Sequence, residues 1–126
     1  MAGRLSFGKS RRLLNASDYK AVFDGVDWKV SSKEILCLTR NNGSNHPRLG
    51  LVIAKKNIRH AVQRNRVKRI IRESFRLHQH QLPAIDLIIL ARAGLGDFSN
   101  TELHVEIAKL WARLIKKIEQ SKEPGV

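Results

Sequence analysis

The sequence predicts an α+β sandwich, with helices laid over one small mixed sheet in a single domain. Three observations predict it. Helical and strand periodicities alternate in the order α-β-β-α-β-α, and a further short strand near Trp28 to Val30 makes this α-β-β-(β)-α-β-α. The segment Asp86 to Ala93 (DLIILARA) carries a continuous apolar run of strand length, which marks burial on both faces and a central place in the sheet. Apolar residues make up 42% of a 126-residue chain, enough for one core without metals or disulfides.

The elements follow in order. Residues 1–12 are polar and basic, with Arg4, Lys9, Arg11 and Arg12, and read as a flexible arm that orders only on a partner. The folded domain is expected over 13–120. Asn15-Ala16-Ser17-Asp18 is a helix N-cap cluster, and Tyr19, Val22 and Phe23 then share one helix face until Gly25 ends it. A strand follows around Glu34 to Thr39. Asn41 to Asn45 is a strong turn signal, and Arg48 to Ala54 is the next strand, so these two strands are expected to pair as a hairpin. After a connection at Asn57 to His60, a long helix runs from about Ala61 to His80, and Pro83 stops it. Gly94-Leu95-Gly96 is a loop. Ser99 and Glu102 have capping-box spacing. The last helix carries the stripe Leu103, Ile107, Leu110, Trp111, Leu114 and Ile118, which should pack on the sheet. Residues 121–126 read as a loose tail.

Charge dominates the composition. Lys plus Arg number 24 against 11 Asp plus Glu, a net charge of +13. Such a surface attracts polyanions: RNA, DNA or an anionic membrane. No segment approaches the roughly 20 apolar residues of a membrane span, and the N-terminus lacks the apolar core of a secretory signal. A lone Cys37 makes no internal disulfide, which suits a reducing cytoplasm.

Much of the charge sits on one helix. On a wheel, Val67, Ile70, Ile71, Ser74 and Leu77 fall on the side expected to face the core, and Asn65, Lys68, Arg69, Arg72 and Arg76 fall opposite. Residues 55–76 hold nine cations (Lys55, Lys56, Arg59, Arg64, Arg66, Lys68, Arg69, Arg72, Arg76) and one anion, Glu73, expected to pair with Arg69 or Lys68. A solvated helix face normally mixes signs, because like charges one turn apart repel by a few tenths of a kcal/mol. Phosphates would relieve that repulsion, and Arg forks grip phosphate in two-pronged fashion. The patch therefore reads as a nucleic-acid surface rather than a merely solvated one. Composition alone does not choose RNA over DNA, and no helix-turn-helix or zinc-finger spacing is present.

Catalytic constellations are missing. The acidic residues are scattered, with no pair at a motif spacing for metal-dependent phosphodiester hydrolysis. His78 and His80, two residues apart on a helix, point to different sides and make a poor zinc pair. Gly94-Leu95-Gly96 lacks a nucleotide-binding context, and nothing supports Cys37 as a nucleophile.

The stretch 48–77 (RLGLVIAKKNIRHAVQRNRVKRIIRESFRL) resembles the protein component of bacterial ribonuclease P. The resemblance is carried by Lys55 and Lys56 after a strand, Ala61, Arg64-Asn65-Arg66, Lys68-Arg69, Arg72 and Phe75, together with Arg12-Leu13, Tyr19 and Phe23 upstream. It implies an RNA-binding subunit that assists a catalytic RNA in removing the 5′ leader of precursor tRNA. Hydrolysis would be performed by the RNA with Mg²⁺ held mainly by that RNA. By resemblance, Lys55, Lys56, Arg59, Arg64, Asn65, Arg66, Lys68, Arg69, Arg72 and Arg76 contact the catalytic RNA. Arg12, Tyr19, Phe23 and Lys55 contact the leader, in a cleft between the sheet and the first helix. Aromatic rings suit unpaired nucleotides, although ordinary helix packing also accounts for Tyr19 and Phe23. A strand position where some family members carry a cleft tyrosine falls near Cys37, which would leave this cleft one stacking surface fewer. The resemblance also implies a left-handed βαβ crossover on the basic helix, against the usual right-handed rule, and no need for a protein oligomer. A structural RNA-binding protein of the ribosome type, or a DNA-binding chromatin protein, would share the charge but not the Arg-Asn-Arg signature.

Overall fold

The computed structural model describes Gly8 and residues 11–122. Most of the expected arm (1–12) and of the expected tail (121–126) lies outside the described residues. The elements are α1 (Ala16–Asp24), β1 (Trp28–Ser31), β2 (Ile35–Asn41), β3 (Arg48–Val52), α2 (Ala61–His78), β4 (Ile85–Ala91) and α3 (Asn100–Lys122). Short 3-10 turns at Gln79–Gln81 and Leu95–Asp97 complete the order. The short strand near Trp28 is real, and α3 extends through Ser121 into the expected tail.

Local chemistry explains the helix ends. The Asn15 side chain accepts from the Asp18 N–H at 3.0 Å and opens α1, and the Gly25 N–H closes it on the Val22 carbonyl. Ahead of α3, the Ser99 N–H donates to Glu102 Oε1 at 2.7 Å and the Glu102 N–H donates to Ser99 Oγ at 3.1 Å, the reciprocal pair expected from the spacing.

The four strands lie in the order β1-β2-β4-β3. β1–β2 and β2–β4 are antiparallel, whereas β3–β4 is parallel. The expected β2–β3 hairpin does not form, because β4 lies between them, with Ile89 opposite both Cys37 and Leu51. Two facts explain the insertion. β4 is buried along both faces, so it belongs at the centre. The turn after β2 is also fastened to the start of β4: Asn42 donates its side-chain amide to Asp86 Oδ1 at 3.0 Å and its N–H to the Ala84 carbonyl at 3.2 Å. α2 is the connection that carries the chain from β3 to its parallel neighbour β4.

The pleat sorts the strand residues to two faces. Cys37, Leu49, Ile85, Leu87, Ile89 and Ala91 join the main core under α2 and α3, while Ile88 packs with Leu13 and Val22 beneath α1. All six stripe residues of α3 are buried. On α2, Val67, Ile70, Ile71 and Ser74 are buried as expected, but Leu77 is 41% exposed and Phe75 takes the core position. The two sit on opposite shoulders of the stripe, and α3 covers only the Phe75 shoulder. There the Phe75 ring meets Trp111 edge-on at 6.2 Å, and Trp111 Nε1 donates to Ser74 Oγ at 2.9 Å, so the buried hydroxyl and indole satisfy each other.

Cys37 also departs from expectation. It is fully buried on the α2/α3 side of the sheet, and burial pushes its thiol up to about 12. It therefore replaces no cleft aromatic; its neighbours Leu36 and Leu38 are the β2 residues on the α1 side. No helix among the described residues is long and apolar enough to cross a membrane.

Candidate nucleic-acid interface

α2 turns its charged side outward as a ridge. Asn65, Arg69 and Arg72 are exposed and Lys68 is half-buried; Lys55, Lys56 and Arg59 are exposed on the connection that leads into the helix. Lys55, Lys56, Arg59, Lys68, Arg69 and Arg72 make no ion pair or side-chain hydrogen bond with any described residue. Arg76 differs. It holds Glu73 through Nη2–Oε1 at 2.6 Å and Nε–Oε2 at 3.2 Å, a pair that raises the guanidinium and lowers the carboxyl from their ordinary values. Glu73 thus pairs with Arg76 and not with Arg69 or Lys68, because the fork reaches both of its oxygens one turn on.

The two arginines of Arg64-Asn65-Arg66 point inward instead. Arg64 Nη1 donates to the carbonyls of Ile58 at 3.1 Å and Arg59 at 2.9 Å, gathering the connection against the first turn of α2. Arg66 Nε donates to Gln63 Oε1 at 2.8 Å, Nη1 to Asn100 Oδ1 at 2.8 Å and Nη2 to the Gly96 carbonyl at 2.9 Å. Only Asn65 of the triplet is fully outward.

On the other side of β3 lies a cleft between α1 and the sheet. Its floor is apolar and incompletely covered: Leu38, Val52 and Leu90 are half-buried around Ile88. Phe23, one turn on from Tyr19 along α1, is 45% exposed. Tyr19 is seated more firmly. Its hydroxyl accepts from the Leu51 N–H at 3.1 Å, satisfying a donor on the outer edge of β3, where the Leu13 N–H also bonds the Leu49 carbonyl, and its ring lies so close to Gly50 that a β-carbon there would sit 2.8 Å from Cζ. Arg48 and Asp86 form a two-pronged pair on the same side, at 2.6 and 2.8 Å, with Asp18 3.9 Å away. The Asp86 bond is the main cause holding the Arg48 guanidinium above its ordinary value.

Cleft and ridge meet at the edge of β3. Arg12, Tyr19, Lys68 and Arg72 line one hollow of about 110 Å³ with Leu13, Leu49 and Leu51. Arg12, Arg69, Arg72 and Arg76 line a second, of about 260 Å³, with Glu73. Arg12 and Tyr19 are thus joined to the basic helix, whereas Phe23 and Lys55 line neither hollow. Sequence reasoning missed the floor residues Leu38, Val52 and Leu90 and the seat Gly50. Their signal is the two-residue alternation of β2, β3 and β4, readable only once the pairing is known.

Among the described residues no three His, Cys, Asp or Glu side chains converge as a metal site.

A basic ridge beside a partly open apolar cleft has the chemistry that suits a polyanion. Comparison decides which. The ribonuclease P family model matches residues 7–115. The chain belongs to the ribonuclease P protein family. It is 51% identical over 119 residues to the ribonuclease P protein component of Pseudomonas aeruginosa, covering 94% of this chain and 88% of that one. Solved structures agree on the fold. The RNase P protein from Thermotoga maritima superposes with a TM-score of 0.71 at 28% identity, covering 83% of this chain and 96% of that one. A Staphylococcus aureus RNase P protein mutant with defective mRNA degradation activity superposes with a TM-score of 0.73 at 28% identity, covering 88% and 90%. The basic helix is therefore that of an RNA-binding subunit of ribonuclease P, and the ribosome-type alternative finds no support in these matches.

Proposed function

We propose that this chain assists the catalytic RNA of a cytoplasmic ribonuclease P in removing the 5′ leader from precursor tRNA. The outer side of α2 docks on the catalytic RNA, and the α1–sheet cleft takes the leader. Six cations without a partner among the described residues, of which Lys68 and Arg72 line a hollow with Tyr19, carry this reading. Their mutual repulsion is relieved when they pair with phosphates, and the counterions condensed on those phosphates are released. Bases of a single strand lie on rings and aliphatic walls at roughly 1–3 kcal/mol per stacked base, and Phe23 offers the more open ring. One copy presents both surfaces, so the reading needs no protein oligomer. The β3–α2–β4 crossover is assigned the family's left hand.

Hydrolysis is assigned to the RNA. Mg²⁺ would supply charge neutralisation and an activated water there. Among the described residues no three His, Cys, Asp or Glu side chains converge to hold such an ion on the protein. The protein's part is positioning: it holds the leader beside the docked RNA and screens the phosphates that the assembly crowds together.

Reconstitution with the organism's own catalytic RNA tests this. The protein plus RNA is expected to cut precursor tRNA accurately at the 5′ side and at lower Mg²⁺ than the RNA alone. A protein that leaves RNA processing unchanged, or that cuts precursor tRNA unaided, contradicts it. The second outcome would align the chain with the mRNA degradation activity named for the Staphylococcus aureus protein.

A further inference from the structure

We infer that Arg66 is a positioning residue, which locks the first half of α2 to the loop before α3 and to α3 itself, and that it serves RNA docking without gripping a phosphate. This inference rests on the docking role proposed above for α2.

The geometry assigns the lock. Three guanidinium nitrogens each have a protein acceptor at 2.8–2.9 Å: Gln63 one turn earlier on α2, the Gly96 carbonyl in the loop, and Asn100 at the first residue of α3. All three acceptors are neutral, so Arg66 keeps its charge while its fork is committed. The loop is brought within reach by the absence of a side chain at Gly96, where a β-carbon would lie 3.1 Å from Ile58 Cγ2. Arg66 is half-buried, unlike exposed Asn65 beside it. A planar fork with donors on all three nitrogens can meet three acceptors in three directions; a Lys ammonium on its flexible stem cannot reproduce that geometry. The lock bears on RNA because Lys68, Arg69 and Arg72 stand within the next two turns. Their directions relative to the α1 cleft follow the seating of α2 on α3.

Four full-length variants, Arg66→Ala, Arg66→Lys, Asn100→Ala and the Arg66→Ala/Asn100→Ala double, distinguish lock from phosphate contact. Their affinity for the catalytic RNA is measured over a salt series, alongside urea unfolding of the free protein. The lock predicts that Arg66→Lys binds as poorly as Arg66→Ala, on the order of tenfold weaker than wild type. It predicts that neutral Asn100→Ala also weakens binding, and that the double variant is little worse than Arg66→Ala, because interacting residues are not additive. The slope of log affinity against log salt stays at the wild-type value in all four. Rescue by Arg66→Lys, with a slope lowered by about one in Arg66→Ala, would make Arg66 a direct phosphate ligand and overturn the inference. If wild type fails to bind this RNA in preference to duplex DNA, the docking role fails instead. The lock is then judged on unfolding, where additive losses for Arg66→Ala and Asn100→Ala overturn it and non-additive losses sustain it.

Discussion

Gly50→Ala is a small change with a calculable consequence. The added methyl would lie 2.8 Å from Tyr19 Cζ and 2.9 Å from Cε2 and the hydroxyl oxygen, so the ring must leave its seat. Overpacking of this kind costs about 1–3 kcal/mol. Displacement also breaks the bond from the Leu51 N–H to the Tyr19 hydroxyl, worth about 1 kcal/mol. Replacing glycine within a strand returns about 0.5–1 kcal/mol, so the expected net loss is about 2 kcal/mol. Urea unfolding followed by circular dichroism reads it directly. Made in a Tyr19→Ala background, the same substitution should be neutral or slightly stabilising, because the steric partner is gone and only the backbone gain remains. In the holoenzyme, Gly50→Ala should reduce the preference for precursor over mature tRNA while catalytic-RNA docking persists. An equal loss of stability in both backgrounds would refute the reasoning, since the cost would then arise elsewhere than at the ring.

Two further expectations follow from titratable groups. Cys37, with its thiol pushed up to about 12 by burial, should resist iodoacetamide at neutral pH in the native protein and react once urea unfolds it; rapid labelling of the native state would contradict its placement. Glu102 is held below the usual carboxylate range by the Ser99 backbone N–H and, secondarily, the Ser99 hydroxyl. Because the folded value is the lower one, this bond stabilises above the unfolded carboxylate value and its contribution is lost as pH falls through the folded one. The difference in melting temperature between wild type and Glu102→Ala should therefore shrink on acidification from about pH 6 to about pH 3, and a constant difference would count against it.

What the sequence disclosed was local. The Ser99–Glu102 cap spans three residues and forms as read, and the α3 stripe needs only helical period. The central place of β4 followed from its apolar run. What stayed hidden was non-local. β2 and β3 are joined by a turn rich in Asn and Gly, which looks the same whether the strands pair with each other or straddle a third; the bond from Asn42 to Asp86, far along the chain, selects the latter. Cys37 went to the core side because strand parity is fixed by pairing and not by residue type. Phe75 and Leu77 are equivalent on a wheel until α3 covers one shoulder. The basic patch was visible as charge, yet its division into outward and inward cations was not. Arg64 and Arg66 are held chiefly by backbone carbonyls and by Asn100, acceptors that leave no charge signature. Glu73 chose Arg76, three residues on, over Arg69 and Lys68, because the fork reaches both of its oxygens.

The ridge itself is tested most directly by the salt dependence of catalytic-RNA binding in wild type and in an Arg69→Ala/Arg72→Ala double variant. If these exposed guanidinium groups neutralise phosphates, the double variant should bind more weakly, and its slope of log affinity against log salt should be shallower by about two, roughly one for each lost contact. A variant with the wild-type affinity and an unchanged slope would mean that the RNA docks elsewhere.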